Sequence, residues 1–128
     1  MSTTRSADQK RKAPVRSEIA KTGWERAKIK YEVEIKGMFG KSTFQEREKP
    51  GLQFYALAIG PQGRYVVRTS RSFEGTIESD RAGSWISLSK DAQDALNGLL
   101  QDLWNDGWQP TSFGRYWHDF NLRRIIEE

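Results

Sequence analysis

Two hydrophobic periods follow one another along this 128-residue chain and divide it into elements. From Trp24 to Lys36, Ile29, Tyr31, Val33 and Ile35 alternate with Lys28, Lys30, Glu32, Glu34 and Lys36. That period of two predicts a strand with one apolar and one mixed-charge face, as in an antiparallel sheet wet on one side. Gly37 and Gly40 bracket Met38 and Phe39, marking a turn with an apolar tip. After the breaker Pro50-Gly51, a second strand is expected over Leu52 to Ile59. Gly60-Pro61-Gln62-Gly63 reads as a tight turn and Arg64 to Thr69 as the returning strand of a hairpin. Residues 70–87 read as a loop that is partly structured, because long bare loops are uncommon in compact domains.

The period then lengthens. Leu88, Ala92, Ala95, Leu96, Leu99, Leu100, Leu103 and Trp104 fall at three- and four-residue steps, which predicts one amphipathic helix. Ser87 or Ser89 caps its start, Asp91 complements its dipole, and Gly107 closes it. Gly98 inside it suggests a close approach to the sheet. Arg115 to Ile126 reads as a last strand with Tyr116, His118, Phe120 and Leu122 on one face. The fold class expected is α+β: an antiparallel meander of about three strands, a helix across one face, and a final strand.

Residues 1–21 lack either period and carry almost no large apolar side chains, so they are expected to form a flexible arm, with a short helix around Ser17 to Lys21. Residues 22–128 then form a single domain, a size that supports one hydrophobic core, to which five Trp, four Tyr and six Phe contribute. Charge is uneven along the chain. Residues 1–30 hold nine Lys/Arg against three Asp/Glu, and residues 31–128 hold twelve against fourteen. Arg5, Lys10, Arg11, Lys12 and Arg16 make the arm a candidate contact for nucleic acid or another polyanion. If four of these met phosphates, the salt slope would be about −3.6. The absence of cysteine excludes disulfides, thiolate metal sites and cysteine nucleophiles, and the start of the chain has no apolar signal region. A cytoplasmic, non-membrane protein is expected.

Catalytic patterns are not legible. His118 is the only histidine, and on a strand Asp119 would face away from it. Gly40-Lys41-Ser42 lacks the glycine that a phosphate loop needs at position 35, which is Ile. The carboxylates are not spaced as metal ligands, so neither metal nor cofactor is expected. Trp104 and Trp108 are expected in the core, while Tyr116 and Trp117 are candidates for a partner surface.

The segments GMFGKSTF, IGPQGRYVVRTSRSF, NDGWQP after the helix, and FNLRR resemble those of a group of small bacterial proteins of unknown function, over residues 24–124. That likeness implies a bacterial α+β domain and transfers no site. Within it, Phe39, Phe44, Trp108 and Arg123 read as turn and core determinants. The expectation is a non-enzymatic binding module whose arm contacts nucleic acid or another polyanion. The alternative is an assembly subunit, joining a protein partner or a second copy through a sheet edge or the Trp-rich end.

Overall fold

A computed structural model of the chain describes residues 16–61 and 63–126. Strands β1 (Arg16–Lys36), β2 (Ser42–Gly60) and β3 (Gly63–Thr69) are followed by a short hairpin, β4 (Ile77–Asp80) and β5 (Gly83–Ile86). Helix α1 (Lys90–Asn105) and strands β6 (Gln109–Phe113) and β7 (Phe120–Ile126) complete the order. The main sheet is antiparallel throughout, in the order β3-β2-β1-β7-β6. The α+β class is as expected, but the sheet has five strands, and β4 and β5 form a second sheet inside the predicted loop.

The meander begins earlier and runs longer than the periodicity indicates. β1 starts at Arg16, so residues 16–21 of the expected arm are strand and not helix. Glu18 and Ala20 are buried there, each facing a side chain of β7. β2 continues through Pro50-Gly51 back to Ser42. At position 50 β2 has a neighbour on one side only, where a missing N–H is tolerated. At Gly51 a Cβ would come within 2.5 Å of the Ile29 side chain and 3.0 Å of the Phe73 carbonyl. The apparent breaker is thus a glycine required by close approach: the 70–76 segment crosses over it and bridges Phe73 to Leu52.

One face of the sheet holds the core. Ala20, Leu52, Phe54, Ala56, Ala58 and Leu122 meet Ala92, Ala95, Leu96, Leu99 and Leu103 of α1. The alanines of β1 and β2 let the helix lie close, and Phe54 fills the remaining space against Phe73 and Trp117. Ser89 is the N-cap, accepting from the Ala92 N–H at 3.2 Å, so Leu88 lies outside the helix and is exposed. At the other end Gly107 N–H bonds Trp104 C=O and Trp108 N–H bonds Leu103 C=O, the paired bonds of a Schellman turn. That turn carries Trp108 under the helix beside Leu103, both fully buried.

Trp104 corrects the expectation. One residue past Leu103 it is rotated about 100° off the buried stripe, and it is 57% exposed. Gly98 faces open space rather than the sheet. Phe39, Phe44 and Arg123 are exposed and are not core residues, whereas Trp108 is.

Two polar clusters tie the layers together. Buried Glu18 accepts from Tyr65 Oη at 2.5 Å and from Arg124 Nη2 at 2.8 Å, joining β1, β3 and β7, and the Arg124 guanidinium sits 4.7 Å over the Trp108 ring. These bonds, Tyr65 first, hold the Glu18 carboxyl below its usual range. Ile86 ends β5 with both backbone groups taken by side chains: its N–H donates to His118 Nε2 at 3.0 Å, and its C=O accepts from Trp117 Nε1 at 2.7 Å.

Candidate nucleic-acid interface

Two arrangements could carry function: the His118 neighbourhood and the sheet face that α1 leaves uncovered. At the first, residues 114–119 form a turn rather than the predicted strand, because Asp119 accepts from Tyr116 N–H at 3.0 Å and its backbone closes onto Gly114 and Tyr116. Asp119 is therefore not directed away from the histidine, as a strand would require: its Oδ1 lies 3.2 Å from His118 Nδ1, though out of line for a hydrogen bond. The imidazole is 1% exposed and surrounded by Phe54, Tyr116 and Trp117 rings. Burial pushes its pKa down, with Asp119 partly offsetting that. Since Nε2 accepts from a backbone N–H, the ring is neutral with its proton on Nδ1. Its free lone pair is spent on Ile86, and its role is to hold β5 to the 117–118 turn.

The second arrangement follows from register. Directly opposed residues of an antiparallel pair share a face. In β1 and β2 even numbers oppose even numbers, from Ala20 and Ala58 to Lys36 and Ser42. The even face packs under α1 at one end, and its outer part is mixed in charge, carrying Lys28, Lys30 and Lys36 with Glu32, Glu34, Glu46 and Glu48. The odd face is uncovered. It carries Ile19, Lys21, Glu25, Ile29, Tyr31, Val33 and Ile35 on β1, and Arg47, Lys49, Tyr55, Leu57 and Ile59 on β2. Pairing adds Arg64 and Val66 from β3 and Arg123 and Ile125 from β7.

Among the described residues of these four strands, the uncovered face therefore holds five basic side chains and one acidic one. That single acid, Glu25, accepts from Gln53 Nε2 at 2.5 Å. Lys49 pairs with Glu74 of the crossing segment and lies 5.3 Å over the Tyr31 ring. Ile19, Ile59, Val66 and Ile125 are all exposed and run across β1, β2, β3 and β7. Tyr55 lies against Gly23, where a Cβ would meet its ring at 2.6 Å, so the glycine lets the phenol rest on the sheet.

This face was legible in part. The signal is parity: Arg47 and Lys49 are odd, with no carboxylate at any odd position from 27 to 49, whereas Glu32, Glu34, Glu46 and Glu48 share the even positions with Lys28, Lys30 and Lys36. It becomes readable only once the Gly37–Gly40 turn is known to centre the register on Phe39. Of the side chains expected to bind, Arg5, Lys10, Arg11 and Lys12 lie outside the described residues, and Arg16 begins β1. Tyr116 stacks on Trp85 at 5.1 Å and Trp117 uses its one polar atom on Ile86; both are half-buried in the fold. Among the described residues no three His, Cys, Asp or Glu side chains are grouped to hold a metal ion, and no helix is long and apolar enough to cross a membrane.

Comparison with protein families, with curated proteins and with solved structures yields no match to this chain.

Proposed function

We propose that this protein is a non-enzymatic binding module that holds nucleic acid along the uncovered face of its sheet, with the basic N-terminal segment as a second contact. The observation that supports this most is the excess of base over acid on the face that α1 leaves open, five bases against one acid among the described residues of its four strands. Cations attract the phosphate backbone, and Tyr31 and Tyr55 among them offer rings on which bases stack. The glutamates of the opposite face point away from a ligand held there.

Fluorescence anisotropy with labelled oligonucleotides tests the reading on the full chain. If all five basic side chains meet duplex phosphates, the salt slope is about −4.5, a loss of several hundredfold between 50 and 200 mM salt. Arg47→Glu with Arg123→Glu should weaken binding at every sequence and flatten that slope by about 2. Replacing Lys10, Arg11 and Lys12 by Ser separates the arm from the sheet. Binding that survives both sets of changes unaltered, or no binding by the native chain at low salt, removes the proposal.

The assembly reading has its own support. β1 pairs with β7 only as far as Lys21 and then runs on to Lys36, leaving a long edge free. A salt-resistant oligomer by light scattering, lost on placing Pro at Lys30, would favour it.

A further inference from the structure

Beyond Ala27 and Gly51, β1 and β2 continue as a two-stranded ribbon with no third strand. Its end is the most apolar exposed point among the described residues: Met38 is 94% and Phe39 90% exposed, with Phe44 at 67% close behind. The turn is closed by Gly37 N–H to Lys41 C=O at 2.7 Å and Gly40 N–H to Gly37 C=O at 3.2 Å, so both side chains are presented on a defined scaffold. Lys36 and Lys41 flank them, and residues 35–45 contain no carboxylate. The nearest, Glu34, accepts from Ser42 Oγ at 2.7 Å on the even face.

We propose that Met38 and Phe39 form a wedge that enters double-stranded DNA and unstacks one base step, so that the ligand of this module is a duplex that it bends. This rests on the nucleic-acid reading above and adds which nucleic acid is bound and how. Apolar side chains gain nothing from phosphates, but they gain contact with base faces once a step is opened. Minor-groove proteins that do this insert Phe or Met between base steps and also use Lys or Arg in the groove. Lys36 and Lys41 supply cations for the phosphates on either side of the opened step.

The layout of charge favours a duplex over a lipid surface. β1 has 21 residues and is about 70 Å long, with the tip beyond Lys36 at one end and Arg16 at the other. The bases of the uncovered face lie between them. A rod of two helical turns follows such a line, whereas a bilayer that receives the tip end-on does not meet the face.

The test uses the full chain and a duplex of about two helical turns carrying a dye at each end. Anisotropy reports binding, and energy transfer between the dyes reports bending. The native chain should bind and raise the transfer. M38S/F39S, which alters only exposed side chains, should keep its circular dichroism, bind the duplex roughly tenfold more weakly and leave it straight. Its binding to a single strand should be unchanged. K36E/K41E should likewise leave the duplex straight. Binding without added transfer, or equal bending by M38S/F39S, overturns the wedge while leaving the nucleic-acid reading standing; no binding at all overturns both. Flotation with vesicles of phosphatidylcholine and phosphatidylserine that depends on Phe39, beside a straight duplex, assigns the tip to lipid and also overturns the wedge.

Discussion

Replacing His118 by Phe should destabilise the fold at neutral pH and, more tellingly, change how stability responds to acid. The ring would keep its contacts with Phe54 and Trp117, so the main loss is the acceptor for the buried Ile86 N–H. An unpaired buried backbone donor costs about 1–3 kcal/mol. The pH effect follows from linkage. Burial lowers the His118 pKa from 6.5, so below that value the unfolded chain takes up a proton that the folded chain refuses. The stability this neutral ring contributes is complete above pH 6.5 and is lost as pH falls through it. One proton changes stability by at most about 1.4 kcal/mol per pH unit, or roughly 2 kcal/mol between pH 6.5 and 5. Asp119, 3.2 Å away, and Tyr116 are the titratable groups that face the ring; Asp119 opposes the downward shift and makes this figure an upper bound. The window is unusually clean. There is one histidine in the chain, and the lowered carboxyls Glu18, Asp91 and Asp106 start from 4.5, 3.8 and 3.8. Urea unfolding of native protein and His118→Phe at several pH values between 7.5 and 5 measures both effects. A native stability that is flat across that range, or a variant with the native slope, refutes the reasoning.

Two further predictions concern packing and charge. Arg124→Met should cost about 2 kcal/mol, below the range for a fully buried pair because Arg124 is partly exposed, and Glu18→Gln in the same background should recover part of it. Because the Glu18 pKa is lowered from 4.5, the stability it contributes is present above that pH and lost below it, and Glu18→Gln should blunt the acid limb there in urea titrations. The two tryptophans on either side of the helix end, four residues apart, should differ sharply. Trp108→Ala should cost about 3–5 kcal/mol by thermal or urea unfolding, and Trp104→Ala within roughly 1 kcal/mol of nothing, since only the first is fully buried.

The amphipathic helix, its Ser89 cap and Gly107 terminus, the Gly60–Gly63 reversal and the apolar turn tip were all legible in local pattern, because each depends on residues within a few positions of one another. A helix stripe or a strand alternation needs no knowledge of what lies opposite. The wrong expectations share a different origin. Pro50-Gly51 is a breaker by composition, yet it lies within a strand because the 70–76 segment crosses there and only glycine leaves room. Residues 16–21 are polar by composition, yet they are strand because Arg124 and Tyr65, distant in sequence, satisfy Glu18. Trp104 and Trp108 are equally apolar, and a Schellman turn decides which one is buried.

The candidate interface divides in the same way. Sequence alone determined which side chains are basic, that charged and apolar positions alternate from Lys28 to Lys36, and that residues 1–30 hold most of the excess positive charge. Which face α1 would cover, and therefore which parity stays open, was decided only by the alanines and leucines brought together in three dimensions. The physical reason is that strand alternation sorts side chains into two faces without ranking them. The ranking comes from burial, which depends on partners tens of residues away.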